Sequence, residues 1–226
     1  VTLTGVIFLD PLKKEWQTAD EYLSGNVRQK LGEARLAAEK DQRYTPNVQA
    51  LEAVQPADLT AGEIAVRLGA TWLPPEIIQE FMFQLFGTPS HHQWRIKVHY
   101  SKYTGGWNIE GKSRDKGIKA ISTYGTQRIS GYKILEDTLN LRAVRIFDYV
   151  EQDGKRVSVL NKKETAIAQG KQELIRQAFA EWIWKDPQRR ERLCRLYNNR
   201  FNSIRPREYD GDHLIFPGMN PEITLR

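Results

Sequence analysis

A single cysteine, Cys194, in 226 residues rules out an internal disulfide, and the four histidines (His91, His92, His99, His213) show no metal-ligand spacing with it. No metal site and no redox chemistry are therefore expected. No apolar run approaches the roughly 18 residues that span a bilayer. The opening V-T-L-T-G-V-I-F-L-D lacks the basic stretch and cleavage site of a signal peptide. A cytoplasmic chain with no membrane partner is expected. Apolar residues at 40% and charged residues at 27% describe an ordinary soluble globular protein that buries a real core. The chain starts at Val1 without Met and stops at Leu225-Arg226 just after an apolar-polar run, which suggests a segment of a longer protein.

What is present first is a motif. Gly106 to Ser113 reads G-W-N-I-E-G-K-S and matches the phosphate-loop pattern G-x-x-x-x-G-K-[ST], with Gly106, Gly111, Lys112 and Ser113 in the defining positions. A working loop follows a buried strand and opens a helix, whose N-terminal donors face the phosphate. The flanks predict otherwise. Trp94, Ile96, Val98 and Tyr100 alternate with Arg95, Lys97 and His99, which reads as an amphipathic strand. After Thr104, Gly105 and Gly106 the alternation resumes with Trp107 and Ile109, so the supposed loop falls on the second strand of a hairpin. S-R-D-K-G-I-K downstream has no helical apolar stripe. The motif is rejected as a nucleotide site, and no cofactor is expected. Asp148 in V-R-I-F-D-Y-V, the other residue an NTPase would need, falls in a second hairpin with R-V-S-V-L, turned at Asp153-Gly154.

Charge is uneven. The chain carries net +6, yet Lys162 to Arg207 alone holds twelve Lys and Arg against five Asp and Glu, net +7. That asymmetry is a footprint of polyanion binding, although a charge run is also what a solvated helix face looks like. Aromatics do not interleave with these arginines as a base-stacking platform requires, so contact with the nucleic-acid backbone is the most the patch promises.

Along the chain, V-I-F-L-D and E-W-Q-T predict a short strand pair. Thr18 opens a helix to about Asp41, with Leu23, Val27, Leu31, Ala34 and Ala38 on one stripe. A short helix Val48 to Val54 follows, and a capping box at Thr60 predicts a third helix ending at Gly69. Glu76 to Phe86 reads as a helix closed by Gly87. Its acids Glu76 and Glu80 argue against a DNA-recognition helix. A helix from about Ile129 to Leu139, capped by Asn140, buries Tyr132, Leu135 and Leu139. In the C-terminal part, Ile167, Leu174, Ile175, Ala178, Phe179, Trp182 and Ile183 form the stripe of one helix. Leu193, Leu196, Tyr197 and Phe201 form that of the next, started by Asp186-Pro187. The stretch from Arg205 to Pro221 reads as loop. The fold class expected is α+β: several helices packed with two or more antiparallel β-hairpins and a helical C-terminal part. The parts are 1–90, helical with a strand pair; 91–160, rich in hairpins; and 161–226, basic and helical; all three could form one domain.

E-Y-L-S-G-N-V-R-Q-K-L, L-T-A-G-E-I-A-V-R-L-G-A-T-W-L-P-P-E, V-R-I-F-D-Y-V, V-L-N-K-K-E-T and Y-N-N-R-F-N-S-I-R-P-R-E-Y-D-G-D-H-L-I-F-P-G-M-N-P-E-I-T-L-R stand in this order along the chain. Together they resemble the central region of very large proteins of bacterial mobile elements, which fuse an adenine-specific DNA methyltransferase to a Swi/Snf-type superfamily-two helicase motor. The resemblance covers essentially the whole chain and implies a segment just upstream of the motor. It brings no catalytic residue: N-P-P-Y and D-P-P-Y are absent, and Asn220-Pro221-Glu222-Ile223 and Asp10-Pro11-Leu12 are partial echoes. The expectation is a non-catalytic segment that couples or positions the motor and contacts the DNA backbone. Its candidate residues are Arg189, Arg190, Arg192, Arg195, Arg200, Arg205 and Arg207, with Arg95 and Lys97 as a second patch. The partners implied are DNA and the neighbouring methyltransferase and helicase domains. The alternatives are a structural adaptor whose basic face docks on one of those domains and, more remotely, a nucleotide-binding enzyme.

Overall fold

The computed structural model describes residues 7–152 and 155–207. In chain order the elements are β1 (Ile7–Leu9), β2 (Trp16–Thr18), α1 (Ala19–Tyr22), β3 (Gly25–Asn26), α2 (Val27–Ala38), α3 (Thr45–Ala53), α4 (Pro75–Phe86) and α5 (Ser90–Gln93). There follow β4 (Lys97–Ser101), β5 (Gly106–Glu110), α6 (Gly131–Leu139), β6 (Phe147–Gln152), β7 (Lys155–Leu160), α7 (Lys162–Ile183), α8 (Pro187–Phe201) and β8 (Ile204–Arg205). The fold is α+β. Helices pack with separate two-stranded antiparallel sheets, β1–β2, β4–β5, β6–β7 and β3–β8. The turn at Asp153-Gly154 and the loop expected beyond Arg207 lie outside the described residues.

The chain divides into two compact units, a terminal one from 1–59 with 196–226 and a central one from 60–195. In the terminal unit Phe8, Tyr22, Val27, Leu31, Ala34 and Leu51 form the core, with Phe8 stacked on Tyr22 at 5.2 Å. The helix expected from Thr18 to Asp41 is two helices. Gly25 takes a left-handed φ of +73°, which glycine adopts without a Cβ penalty. Asn26 then starts α2 afresh by accepting the Gln29 N–H at 3.1 Å. The break serves pairing: Gly25 and Asn26 meet Arg205 and Ile204 of β8, and Val27 N–H donates to Ser203 O at 3.0 Å. Asn198 holds the same end of the chain by clamping both backbone groups of Leu59, at 2.8 and 2.9 Å.

In the central unit α4 follows its expected pattern. Pro75 opens it, Gly87 closes it in the left-handed region, and Ile77, Ile78, Phe81, Met82, Leu85 and Phe86 are buried. Phe81 meets Phe179 of α7 edge-on at 5.1 Å. The helix predicted from Thr60 does not form. Half of its capping box forms, with Thr60 N–H and Oγ1 both donating to Glu63 Oε2 at 2.8 and 2.7 Å and the Glu63 N–H going to the Thr60 carbonyl, but only one turn follows, because Ile64 and Leu68 are drawn into the core as irregular chain. A two-helix DNA-reading motif with α4 is therefore not assembled. α5 and a π-turn at Lys119–Thr123 were not expected from the pattern.

α7 also differs in rotation from its expected stripe. Thr165, Ala168, Gln172, Ile175, Phe179 and Ile183 face inward, while Ile167 and Leu174 are 43% and 46% exposed. The reason lies in residues 142–146, which run along α7 and bury Val144 and Ile146 against it. Side chains of α7 satisfy much of their backbone. Gln172 Nε2 donates to Arg142 O at 2.7 Å, Gln169 Nε2 donates to Val144 O at 3.1 Å, and Thr165 Oγ1 accepts the Ile146 N–H at 2.9 Å. Polar residues on that face of α7 thus take positions a hydrophobicity count gives to Ile167 and Leu174. On α8 Leu193 is buried as expected, whereas Phe201 is 53% exposed.

Candidate functional site

Gly106 to Glu110 is strand β5, paired with β4 through Ser101↔Gly106, Tyr100↔Trp107 and Val98↔Ile109. Its backbone lies in a ladder and does not wrap a ligand. Gly111, at φ +70°, turns the chain so closely past Arg95 that a Cβ there would overlap the Arg95 carbonyl. Lys112 Nζ donates to both oxygens of Glu136, at 2.9 and 2.7 Å. Ser113 is exposed in the turn that follows. Trp94, expected on the buried face, is 65% exposed and carries the Arg95 guanidinium 4.2 Å from its ring centre.

Glu136 is the polar centre of this region and was not foreseen from the sequence. Only 7% exposed, it accepts the Ile109 N–H at 2.9 Å and Lys133 Nζ at 3.0 Å besides Lys112. Burial pushes its pKa up, but the bonds from Lys112, Ile109 and Lys133 outweigh that and hold the carboxyl below its ordinary value. Beside it, Tyr132 donates to Asp115 Oδ2 and shares a hydrogen bond with Thr88 Oγ1, both at 2.6 Å. Burial first, then the bond to Asp115, pushes the Tyr132 hydroxyl well above the ordinary tyrosine value, so it stays protonated and donates. These groups tie α6 to β5 and to the end of α4. They are spent on one another.

The arginines are not equivalent. Arg189 is 7% exposed and committed inside the chain: Nε donates to Ile183 O at 3.0 Å, Nη2 to Trp182 O at 2.7 Å and Nη1 to Glu80 at 2.9 Å. Its guanidinium lies 3.5 Å from the Trp182 ring centre, and Trp182 Nε1 donates to Gln84 at 2.6 Å. Arg189 therefore caps the last carbonyls of α7 and bolts that end to α4. Asp186 starts α8 by accepting the Arg189 N–H at 2.7 Å.

Arg190 and Arg192 are exposed and make no ion pair among the described residues. Arg195 is exposed and, among the described residues, bonded to Glu191 one turn back, a surface pair of little strength. Arg192, Arg195 and Asn199 recur at the spacing of one helix face. A groove of about 820 Å³ beside them is lined by Glu80, Trp182, Lys185, Arg189 and Arg192. Lys185 was not among the expected contact residues, although it is exposed just before Asp186-Pro187.

The other candidates stand elsewhere. Arg200 is exposed, 5.3 Å from the Phe201 ring centre, and belongs to the terminal unit. So do Arg205, half-buried on β8 with a 3.3 Å bond to Leu23 O, and Arg207, held to Asp20 at 2.8 and 2.6 Å. Arg95 and Lys97 are exposed on the β4–β5 hairpin, with Lys97 opposite Glu110 in the ladder. The structure thus gathers Lys185, Arg190, Arg192 and Arg195 at the start of one helix and keeps Arg189 for packing. Among the described residues no cluster of His, Cys, Asp or Glu could hold a metal ion. No helix among them is long and apolar enough to cross a membrane.

Fold and surface together define an α+β protein with exposed cations at the start of α8. The chain belongs to the family described as Domain of unknown function (DUF8437), whose model matches residues 67–203. No curated protein and no solved structure matches it.

Proposed function

We propose that this chain is the non-catalytic, DNA-contacting segment of a larger cytoplasmic DNA methyltransferase and helicase, where it couples or positions the ATPase motor. Its resemblance to such proteins supports the second half of this reading. The observation that carries the first half is the set of exposed cations at the start of α8, where Arg190 and Arg192 have no acidic partner among the described residues. Unpaired guanidinium groups gathered on a short stretch of helix suit phosphate oxygens, which they neutralise with release of counterions. Trp182, the aromatic of the adjoining groove, already carries the Arg189 guanidinium on its ring, so the grip is on the backbone and carries no base sequence. Arg200, with Arg95 and Lys97, adds cationic surface of the same kind.

Titration of the protein with random duplex DNA tests this. Log affinity should fall linearly with log salt, with a slope of about −0.9 for each phosphate neutralised. Affinity that is absent, or indifferent to salt, contradicts it.

The exposed Ile167 and Leu174 on α7 favour a second reading. In it, this surface and the exposed arginines dock on the methyltransferase or motor domain, the arginines on an acidic face. Adding the adjacent domain separates the two: docking hides the arginines and abolishes DNA binding, whereas a segment that works on DNA keeps it.

A further inference from the structure

We propose that the outer edge of β6 pairs with the same edge of a second copy of this chain, joining two β6–β7 hairpins into one four-stranded antiparallel sheet.

In an antiparallel ladder alternate residues turn their N–H and C=O to the partner strand. Ile146 O accepts the Asn161 N–H at 2.8 Å, so Ile146 and the even-numbered residues after it face β7. Phe147, Tyr149 and Glu151 therefore turn their backbone groups outward. Arg128 confirms the direction by reaching Phe147 O from that side at 3.0 Å. Apart from that bond, the described residues leave this edge open, and an open strand edge is a template for another strand. The hairpin is also unsheltered: Phe147, Tyr149, Val150, Val157, Val159 and Leu160 are between 38% and 64% exposed. A two-stranded ribbon is marginal in water by itself.

The order of side chains along the edge selects the partner. Residues 145–151 read R-I-F-D-Y-V-E. When this edge meets itself about a two-fold axis at Asp148, outward-facing residues pair with outward-facing residues, as the ladder requires. Arg145 then stands opposite Glu151 of the partner subunit, and Phe147 opposite the partner's Tyr149, each twice by symmetry. Opposite charges and aromatic pairs directly across strands are the stabilising combinations. Arg145 and Glu151 are exposed and make no ion pair among the described residues, so both are available.

The one like-charge meeting is Asp148 on the axis, and it is already neutralised. Asn161 donates to Asp148 at 2.7 Å and Arg128 pairs with it at 2.8 Å, and these two hold its carboxyl below the usual range. The Phe147 carbonyl has a second lone pair for the partner's N–H. Of the other charges on the hairpin, Lys155 and Arg156 lie on β7; Arg156 stands opposite Glu151 in the ladder but makes no ion pair with it and lies over the Tyr149 ring at 4.7 Å.

Sedimentation velocity on the full chain, from micromolar to millimolar concentration, tests the pairing. A monomer–dimer equilibrium is expected. Arg145→Glu and Glu151→Arg should each weaken it by about tenfold, because each places like charges at both cross-strand positions. The double variant should recover the dimer, and so should an equimolar mixture of the two single variants. A monomer at every concentration overturns the proposal. So does a dimer that neither single variant weakens, or one the double variant fails to restore. A chain that stays monomeric but loses duplex binding on Tyr149→Ala overturns it too, and assigns the hairpin to DNA.

Discussion

Glu136 and Arg189 are both 7% exposed and both charged, and each is buried at the cost of desolvation that only close partners offset. Replacing Glu136 by Ala orphans the buried Ile109 N–H and leaves Lys112 without its carboxylate, while Lys133 keeps Asp137, and should cost about 2–3 kcal/mol in chemical denaturation. Lys112→Ala should cost less, about 1 kcal/mol, since Lys133 and the Ile109 N–H still serve the carboxylate. The pH dependence follows from the sign of the shift. Glu136 has a folded pKa below its ordinary 4.5, so its contribution is complete above that value and is lost as pH falls through the folded pKa. The stability of the parent protein should therefore drop on acidification below about pH 4.5, and that of Glu136→Gln should drop less, as followed by thermal unfolding. For the arginines the expected contrast is in stability. Arg189→Ala should cost about 2–4 kcal/mol by leaving Glu80 and the α7 carbonyls without their donor, whereas Arg192→Ala should stay within about 0.5 kcal/mol of the parent.

At the scale of the element, the β4–β5 hairpin shows how a motif is overruled by its setting. Its alternation is visible in the residues, and Val98, Trp107 and Ile109 are buried as the pattern requires. Gly111 fits the phosphate-loop spelling, yet the demand on it is steric: a left-handed φ and a backbone passing the Arg95 carbonyl. Gly111→Ala should thus unfold the hairpin, with a destabilisation above about 2 kcal/mol in chemical denaturation.

α4 and α6 were legible because their stripes, α4's closing glycine and α6's terminal Asn140 agree with one another. The segment from Thr60 was not. The bonds between Thr60 and Glu63 are local, but tertiary packing of Ile64 and Leu68 decides against a helix. The break at Gly25 depends on pairing with Arg205, far along the chain, and a window of sequence cannot contain it. The buried face of α7 departs from its hydrophobic stripe for a related reason, since Gln169 and Gln172 serve the backbone of residues 142–146.

Over the whole molecule the charge is divided by unit. Residues 60–195 carry 23 Lys and Arg against 15 Asp and Glu, net +8, while 1–59 with 196–226 carries 11 against 13, net −2. Of the +7 read at residues 162–207, +4 belongs to that cationic unit and +3, from Arg200, Arg205 and Arg207, to the terminal one. Within the expected site, the general location of the cations was legible in the sequence. Which arginines are free was not, because Arg189 and Arg192 differ only in what faces them, Glu80 and the end of α7 on one side and solvent on the other. The central claim is that the solvent-facing arginines of α8 hold DNA phosphates. It is tested most directly by the salt dependence of random-duplex binding, measured for the parent chain and for Arg190→Ala/Arg192→Ala/Arg195→Ala. Removing one phosphate-binding arginine should flatten the slope by about one, so the triple variant should be flatter by about three and weaker for every DNA sequence. A triple variant that binds with the parent's slope and affinity contradicts the account.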